Sequence, residues 1–385
     1  MSEKKKIIRV TTVPISLEKL LSGQIGFMKE HFEIKAVSSE PERLAAFGKA
    51  QKIETHAVGL TRKLTPIQDL KALWQLYRYL KTEKPFIVHS HTPKAGTVGM
   101  MAAKLAGVPH RLHTVAGLPL LVAKGKKRKL LDFVEKITYS AATKVYPNSY
   151  GLRDIIIQNG YCKPEKLKVL GNGSSNGIDT SFFDPSLFSE KEVSDLRQSL
   201  GIASDDVVFI FIGRLVKDKG IRELISAFDR IGSENPKAKL LLVGRYEPDL
   251  DPLDEQTKSK IASNKNIIET GYQTEVRPYF LASDILTFPS YREGFPNVVL
   301  QAAAMRLPAI VSDINGCNEI ITQGKNGLIV PVEDENALHD AMLKLLNDNV
   351  LRQKMRDNSR QEIKERYEQS FVWNAILEEY RALKP

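Results

Sequence analysis

Two short segments bring together the residue types that bind phosphates and sugars. In Ile212-Gly213-Arg214-Leu215-Val216-Lys217-Asp218-Lys219-Gly220, an apolar run stops at a glycine and is followed by spaced cations. Gly213 allows a ligand close to the backbone, Arg214 can fork onto phosphate oxygens, and Lys219 adds a point charge. The helix start after Gly220 adds free N–H groups. Taken alone, the segment also reads as a polar turn. The second segment is Ser290-Tyr291-Arg292-Glu293-Gly294-Phe295-Pro296-Asn297, with Gln301 eight residues after Glu293. Glu293 is placed to accept hydrogen bonds from hydroxyls. The backbone from Gly294 through Phe295 and Pro296 to Asn297 opens a helix, and Pro296 suits its first turn. Gln301 then falls slightly more than one turn into that helix, on the side of Asn297. A capped helix with a surface glutamate is the competing reading.

The first half offers a looser set. Four of the seven histidines, His89, His91, His110 and His113, lie within 25 residues. For His89 and His110, packing and strand-end hydrogen bonds are the expectation. For His91 and His113, packing and a role in a ligand cleft stay open. The spacing is not that of a zinc motif. Lys94, just before a helix start near Ala95, could meet an anionic group. Gly23, in Ser22-Gly23-Gln24-Ile25-Gly26, belongs to a first strand-to-helix turn where a substrate can approach the backbone. This loop is not a GxGxxG fingerprint.

Strand–helix alternation must position these residues. Apolar runs at Ile7–Thr12, Ile34–Ser38, Phe86–Ser90, Arg111–Val115, Lys144–Pro147 and Lys168–Leu170 predict strands in the first half. Val207–Ile212, Leu240–Val243, Ile267–Thr270, Ile285–Pro289, Ala309–Ser312 and Leu328–Pro331 predict strands in the second. Helical periodicity marks Ile67–Lys81, Ala95–Ala106, Arg128–Ala142, Tyr150–Asn159, Ile221–Ile231, Glu275–Ala282, Asn297–Met305 and Ala337–Asn347. Runs apolar on both faces suit parallel strands covered on both sides, so the pattern predicts doubly wound α/β lobes. The Gly, Ser and Asn-rich segment 171–177 breaks the alternation, and the lobes are expected at 1–183 and 184–369. The stripe Trp373, Ile376, Leu377 and Tyr380 predicts an amphipathic final helix, Phe371–Leu383.

The 385 residues suit two domains. The two cysteines, Cys162 and Cys317, give neither a metal motif nor a disulfide framework, and a cytoplasmic setting is expected. The start, Met1 to Lys6, lacks the apolar core of a signal peptide. Uncharged apolar stretches such as Gly294–Met305 are too short to span a bilayer. Charge is uneven: residues 1–183 hold 30 Lys/Arg against 14 Asp/Glu, or +16, and the remainder holds 26 against 32, or −6. The cluster Lys124, Lys126, Lys127, Arg128 and Lys129, flanked by leucines, reads either as a contact with an acidic membrane surface or as a solvated helix start. No nucleic-acid module is recognisable.

Together, Gly213–Gly220, Arg292–Ala304 and Asn176-Gly177-Ile178-Asp179 resemble the retaining glycosyltransferases of family 4, over nearly the whole chain. The resemblance implies the GT-B fold: two Rossmann-like lobes facing each other across a cleft, with the C-terminal helix 370–385 crossing back to the first. It implies a nucleoside-diphosphate-sugar donor, UDP favoured over GDP, and no metal or other cofactor. Arg214 and Lys219 would take the diphosphate, Glu293 and the backbone after it the donor sugar, and Gln301 the ribose. Arg214, Lys219 and Glu293 would form the catalytic set, and Gly23, His91, Lys94 and His113 the acceptor side. Two positions depart from the family pattern. Gln301 replaces a second glutamate, at a cost of roughly 1 kcal/mol in charge-assisted bonding. Ala116 stands where many members have a histidine. The closest flavour is that of bacterial enzymes building capsule, O-antigen or other surface polysaccharide on lipid-linked, polyprenyl-diphosphate acceptors, with a peripheral position on the inner face of the cell membrane. A nucleotide-sugar-binding subunit of reduced activity and a sugar-nucleotide 2-epimerase are the alternative expectations.

Overall fold

The computed structural model describes residues 4–62, 65–247 and 251–384. It contains two compact units, one formed by Met1–Gly177 with Gln369–Pro385 and the other by Ile178–Glu368.

The first unit is built on six parallel strands: β1 (Lys6–Val10), β2 (Glu33–Ser38), β3 (Glu54–Ala57), β4 (Ile87–Ser90), β5 (His110–Val115) and β6 (Lys144–Pro147). Their order is β3-β2-β1-β4-β5-β6, with Val10 level with Val37 on one side and Ser90 on the other. Alternation along each strand supplies two cores, one per face. Ile8, Val10 and Val88 enter one, with the helices Pro66–Glu83 and Pro93–Ala106. Ile7, Ile34, Ile87 and Leu112 enter the other. The C-terminal helix Gln369–Arg381 covers that second face, burying Val372, Ile376, Leu377 and Tyr380.

The second unit repeats the plan with β7 (Val207–Ile212), β8 (Ala238–Val243), β9 (Ile267–Gly271), β10 (Ile285–Phe288), β11 (Ala309–Ser312) and β12 (Gly327–Val330). The order is β12-β11-β10-β7-β8-β9. In each unit the chain runs outward from a central strand, then returns to that strand's other side and runs outward again. This is the doubly wound Rossmann order, and its reversal opens a crevice at the carboxyl ends of the two central strands.

Two local expectations are corrected. Lys168–Leu170 forms no strand: a lone parallel bridge joins Leu167 to Val145, and the chain then turns into segment 171–177. Glu54–Ala57 is a strand that its polar residues conceal; it lies at the sheet edge, where little burial is required.

Candidate donor site at the switch point of the second unit

The reversal point of the second unit lies between β7 and β10, and the two segments singled out above leave those two strands. After β7, Leu215 and Val216 turn inward and anchor the loop, leaving Arg214 between them and Gly213. A short turn, Lys217–Lys219, leads to Gly220 and the helix Ile221–Glu234. Gly220 has φ +69°, and a Cβ there would lie 2.0 Å from the Pro289 carbonyl oxygen. Only glycine lets this turn press against the end of β10.

That contact sets the site. Lys219 and Glu293, each with a mostly buried side chain, form an ion pair. Ser290 Oγ donates to the same Glu293 oxygen, Oε1, at 2.8 Å, so Oε2 keeps its capacity to accept. Asp218 ties the loops a second time: its carbonyl accepts from Tyr291 N at 2.9 Å, and its carboxylate accepts from Arg292 Nη2 at 2.8 Å. Tyr291 donates to Glu223 at 2.6 Å, and burial pushes its hydroxyl well above the usual phenol range. A third loop, after β11, completes the frame. Gly316, at φ +78°, would clash through a Cβ with the Gly294 carbonyl at 2.5 Å, and Asn315 Nδ2 donates to the carbonyls of Glu293 and Gly294.

The predicted residues therefore divide. Lys219 and Glu293 meet directly. Arg214 stands apart from that pair, half exposed, with Glu247 as its partner at 3.1 Å. Gly294, Phe295 and Pro296 are buried, and the Phe295 ring packs on Tyr367 in the core. Asn297 is exposed at the start of the helix Asn297–Ala304, and Gln301 is partly exposed one turn later. Cys317 is fully buried near Glu293, and burial raises its thiol well above the usual range. Asp218, Ser290 and Asn315, which hold this frame, carry no sequence signal of their own. Only their positions just after β7, β10 and β11 mark them.

In the first unit, Gly23 (φ +74°) caps the helix Gln24–Met28, with Trp373 filling the space of its missing side chain. Lys94 is paired with Asp69. His113 is buried against Gly96 and bonded to Ser90 Oγ at 2.8 Å; burial lowers it to about 4. His91 is buried beside Arg9, 2.8 Å from its Nη1. Ala116 is partly exposed just beyond β5. Arg9 is a further buried polar residue of this unit, marked in the sequence only as the charge that breaks the apolar strand Ile7-Ile8-Arg9-Val10. Among the described residues, no group of three or more His, Cys, Asp or Glu could hold a metal ion.

Comparison with known proteins bears on the family and the fold. Residues 192–362 match the model of the glycosyl transferases group 1, and residues 31–173 match a glycosyl transferase 4-like domain. The chain is 33% identical, over 98% of its length and 97% of the relative's, to the capsular polysaccharide biosynthesis glycosyltransferase CapM of Staphylococcus aureus. It is 30% identical to a UDP-Gal:α-D-GlcNAc-diphosphoundecaprenol α-1,3-galactosyltransferase of Escherichia coli, over 84% of this chain and 82% of that one. The crystal structure of Anabaena HepE in complex with UDP superposes with a TM-score of 0.80 at 18% identity, covering 98% of this chain and all of that one. The chain therefore belongs to the group 1 glycosyltransferases, with the two Rossmann-like units of the GT-B fold.

Proposed function

We propose that this glycosyltransferase moves a sugar, with retention of configuration, from a UDP-sugar to a saccharide on a polyprenyl-diphosphate carrier during surface-polysaccharide assembly. The observation that carries this reading is the Lys219–Glu293 pair at the β7/β10 reversal point, with Arg214 earlier on the same loop after β7. Lys219 and Arg214 supply the charge a diphosphate needs, and they stabilise that charge as it grows on the leaving group. Glu293, held by Ser290, accepts from donor-sugar hydroxyls, and Gln301 meets the ribose. The sugar C1–phosphate oxygen bond breaks as the acceptor oxygen bonds to C1 on the same face. The acceptor proton passes to a phosphate oxygen, and the nucleoside diphosphate leaves. No metal or further cofactor is required in this scheme.

The relatives support the donor and acceptor classes: the Escherichia coli enzyme takes UDP-Gal and a diphosphoundecaprenol-linked sugar. The helix Gly125–Ala141 supports a peripheral position on an acidic membrane. Lys124, Lys126, Lys127 and Lys129 are exposed there, as are Leu130 and Phe133. No helix among the described residues is long and apolar enough to cross a membrane.

The test is a stability screen with UDP, GDP and ADP, followed by assay of UDP release from UDP-sugars with and without a diphosphoprenyl-linked sugar, and NMR of the product anomer. Selective stabilisation by UDP, acceptor-dependent release and a retained anomer are expected. UDP binding without turnover on such acceptors would instead identify a binding subunit, the reading that Gln301 and Ala116 keep open. Failure to sediment with anionic vesicles at low salt would remove the membrane contact.

A further inference from the structure

The first unit holds a second polar centre, at the carboxyl ends of β1, β4, β5 and β6. Arg9 is fully buried there. Its guanidinium meets His89 Nδ1 at 3.1 Å, His91 Nε2 at 2.8 Å and Gln24 Oε1 at 2.9 Å. Among the described residues no carboxylate forms an ion pair with it. Arginine stays charged at any pH at which a fold survives, so this is a buried positive charge among neutral partners. Because Arg9 donates to His91 Nε2, the His91 ring carries its proton on Nδ1, and that N–H has no partner among the described residues. Arg9 Nε, Ser175 Oγ and Asn148 Oδ1 are likewise buried and unpartnered.

Three of these residues share one cavity, and Arg9, which does not line it, lies behind His89, His91 and Gln24. His91, Asn148 and Ser175 line one cavity of about 20 Å³ with Gln24, His89 and Thr114. That volume holds a body the size of a water molecule or a halide ion. Two of the lining groups, His91 Nδ1–H and the Ser175 hydroxyl, offer hydrogens. The Asn148 amide can be turned to offer a third, since its oxygen and nitrogen are assigned by their surroundings. Donors one residue away from an uncompensated positive charge favour an anion over a neutral or cationic occupant.

We propose that this cavity is a binding site for a small monovalent anion of chloride size, which balances Arg9. The anion would join parts distant in sequence: Gln24 bonds the Ser175 carbonyl and the Asn176 side chain, and Arg9 lies over the Tyr380 ring of the C-terminal helix. It thus acts as an internal brace of the first unit, independent of donor chemistry in the second.

The experiment is thermal unfolding of the full chain in sodium chloride, bromide and gluconate at equal ionic strength, gluconate being too large for the cavity. Chloride and bromide are expected to raise the midpoint saturably, by about 2–4 °C over gluconate. In Asn148→Asp the protein supplies the negative charge itself, so the midpoint in gluconate should rise towards the chloride value and the halide response should vanish. Arg9→Met should lose the response as well, and Asn148→Asp decides the matter if Arg9→Met does not fold. Equal midpoints in chloride and gluconate would show a water-filled cavity and overturn the proposal. So would a halide response that persists in Asn148→Asp.

Discussion

Lys219 joins the loop after β7 to the loop after β10 through Glu293; in the proposed scheme a bound diphosphate would compete with that carboxylate for the same ammonium. Removing the lysine would subtract the proposed phosphate partner and leave a largely buried Glu293 with Ser290 alone. Lys219→Ala is therefore expected to weaken UDP binding by at least about tenfold, measured calorimetrically, with Lys219→Arg recovering part of the loss because its charge survives. Unchanged UDP affinity in Lys219→Ala would place the diphosphate elsewhere. Gln301 offers the opposite change. Restoring a carboxylate by Gln301→Glu should strengthen a ribose contact by about 1 kcal/mol, close to fivefold in affinity. No gain with UDP would mean that the ribose does not reach this turn of the helix.

At the scale of elements, glycines set how closely the loops approach, and their roles can be separated experimentally. Gly220 and Gly107 have nearly the same backbone conformation, φ +69° and +75°, but a Cβ at Gly107 meets nothing within 4 Å while one at Gly220 meets the Pro289 carbonyl. Gly107→Ala should cost only the left-handed strain, about 1 kcal/mol. Gly220→Ala should cost several times more and also reduce UDP binding, because it pushes Lys219 away from Glu293. Equal losses in denaturant titrations would refute the close-approach argument. The same comparison explains what the sequence could reveal. Buried parallel strands such as Val207–Ile212 announce themselves because both faces are apolar. The helices Glu190–Ser199 and Asn349–Tyr367 do not, since their exposed, highly charged faces dilute the apolar stripe. Gly213–Gly220 and Glu293–Asn297 were legible as a site because each lies where an apolar run ends. The tie from Asp218 to Arg292, and the roles of Asn315 and Gly316, were not, because they depend on loops brought together only by the sheet order.

For the molecule as a whole, buried histidines and the ownership of the last helix govern stability. His89, His91 and His113 are all pushed below their ordinary range, first of all by burial, and His113 to about 4. The folded state thus resists protonation that the unfolded chain accepts near pH 6.5. Above that pH neither state takes up the proton and stability is flat; as pH falls from 6.5 towards 4 the unfolded chain gains protons and stability is lost. His113 alone contributes on the order of 3 kcal/mol to that loss. His113→Asn should flatten the decline in pH-dependent unfolding, and an unaltered slope would mean that the ring is protonated when folded. The second prediction concerns chain ends. The core of the unit Ile178–Glu368 draws on that continuous segment alone, whereas a core of the first unit requires Val372, Ile376, Leu377 and Tyr380 from the far end of the chain. A fragment spanning 178–368 should therefore unfold cooperatively and keep UDP affinity near that of the full chain. A fragment spanning 1–177 should not fold until a 369–385 peptide restores its missing face. Cooperative folding of 1–177 by itself would show that the C-terminal helix covers a core already stable without it.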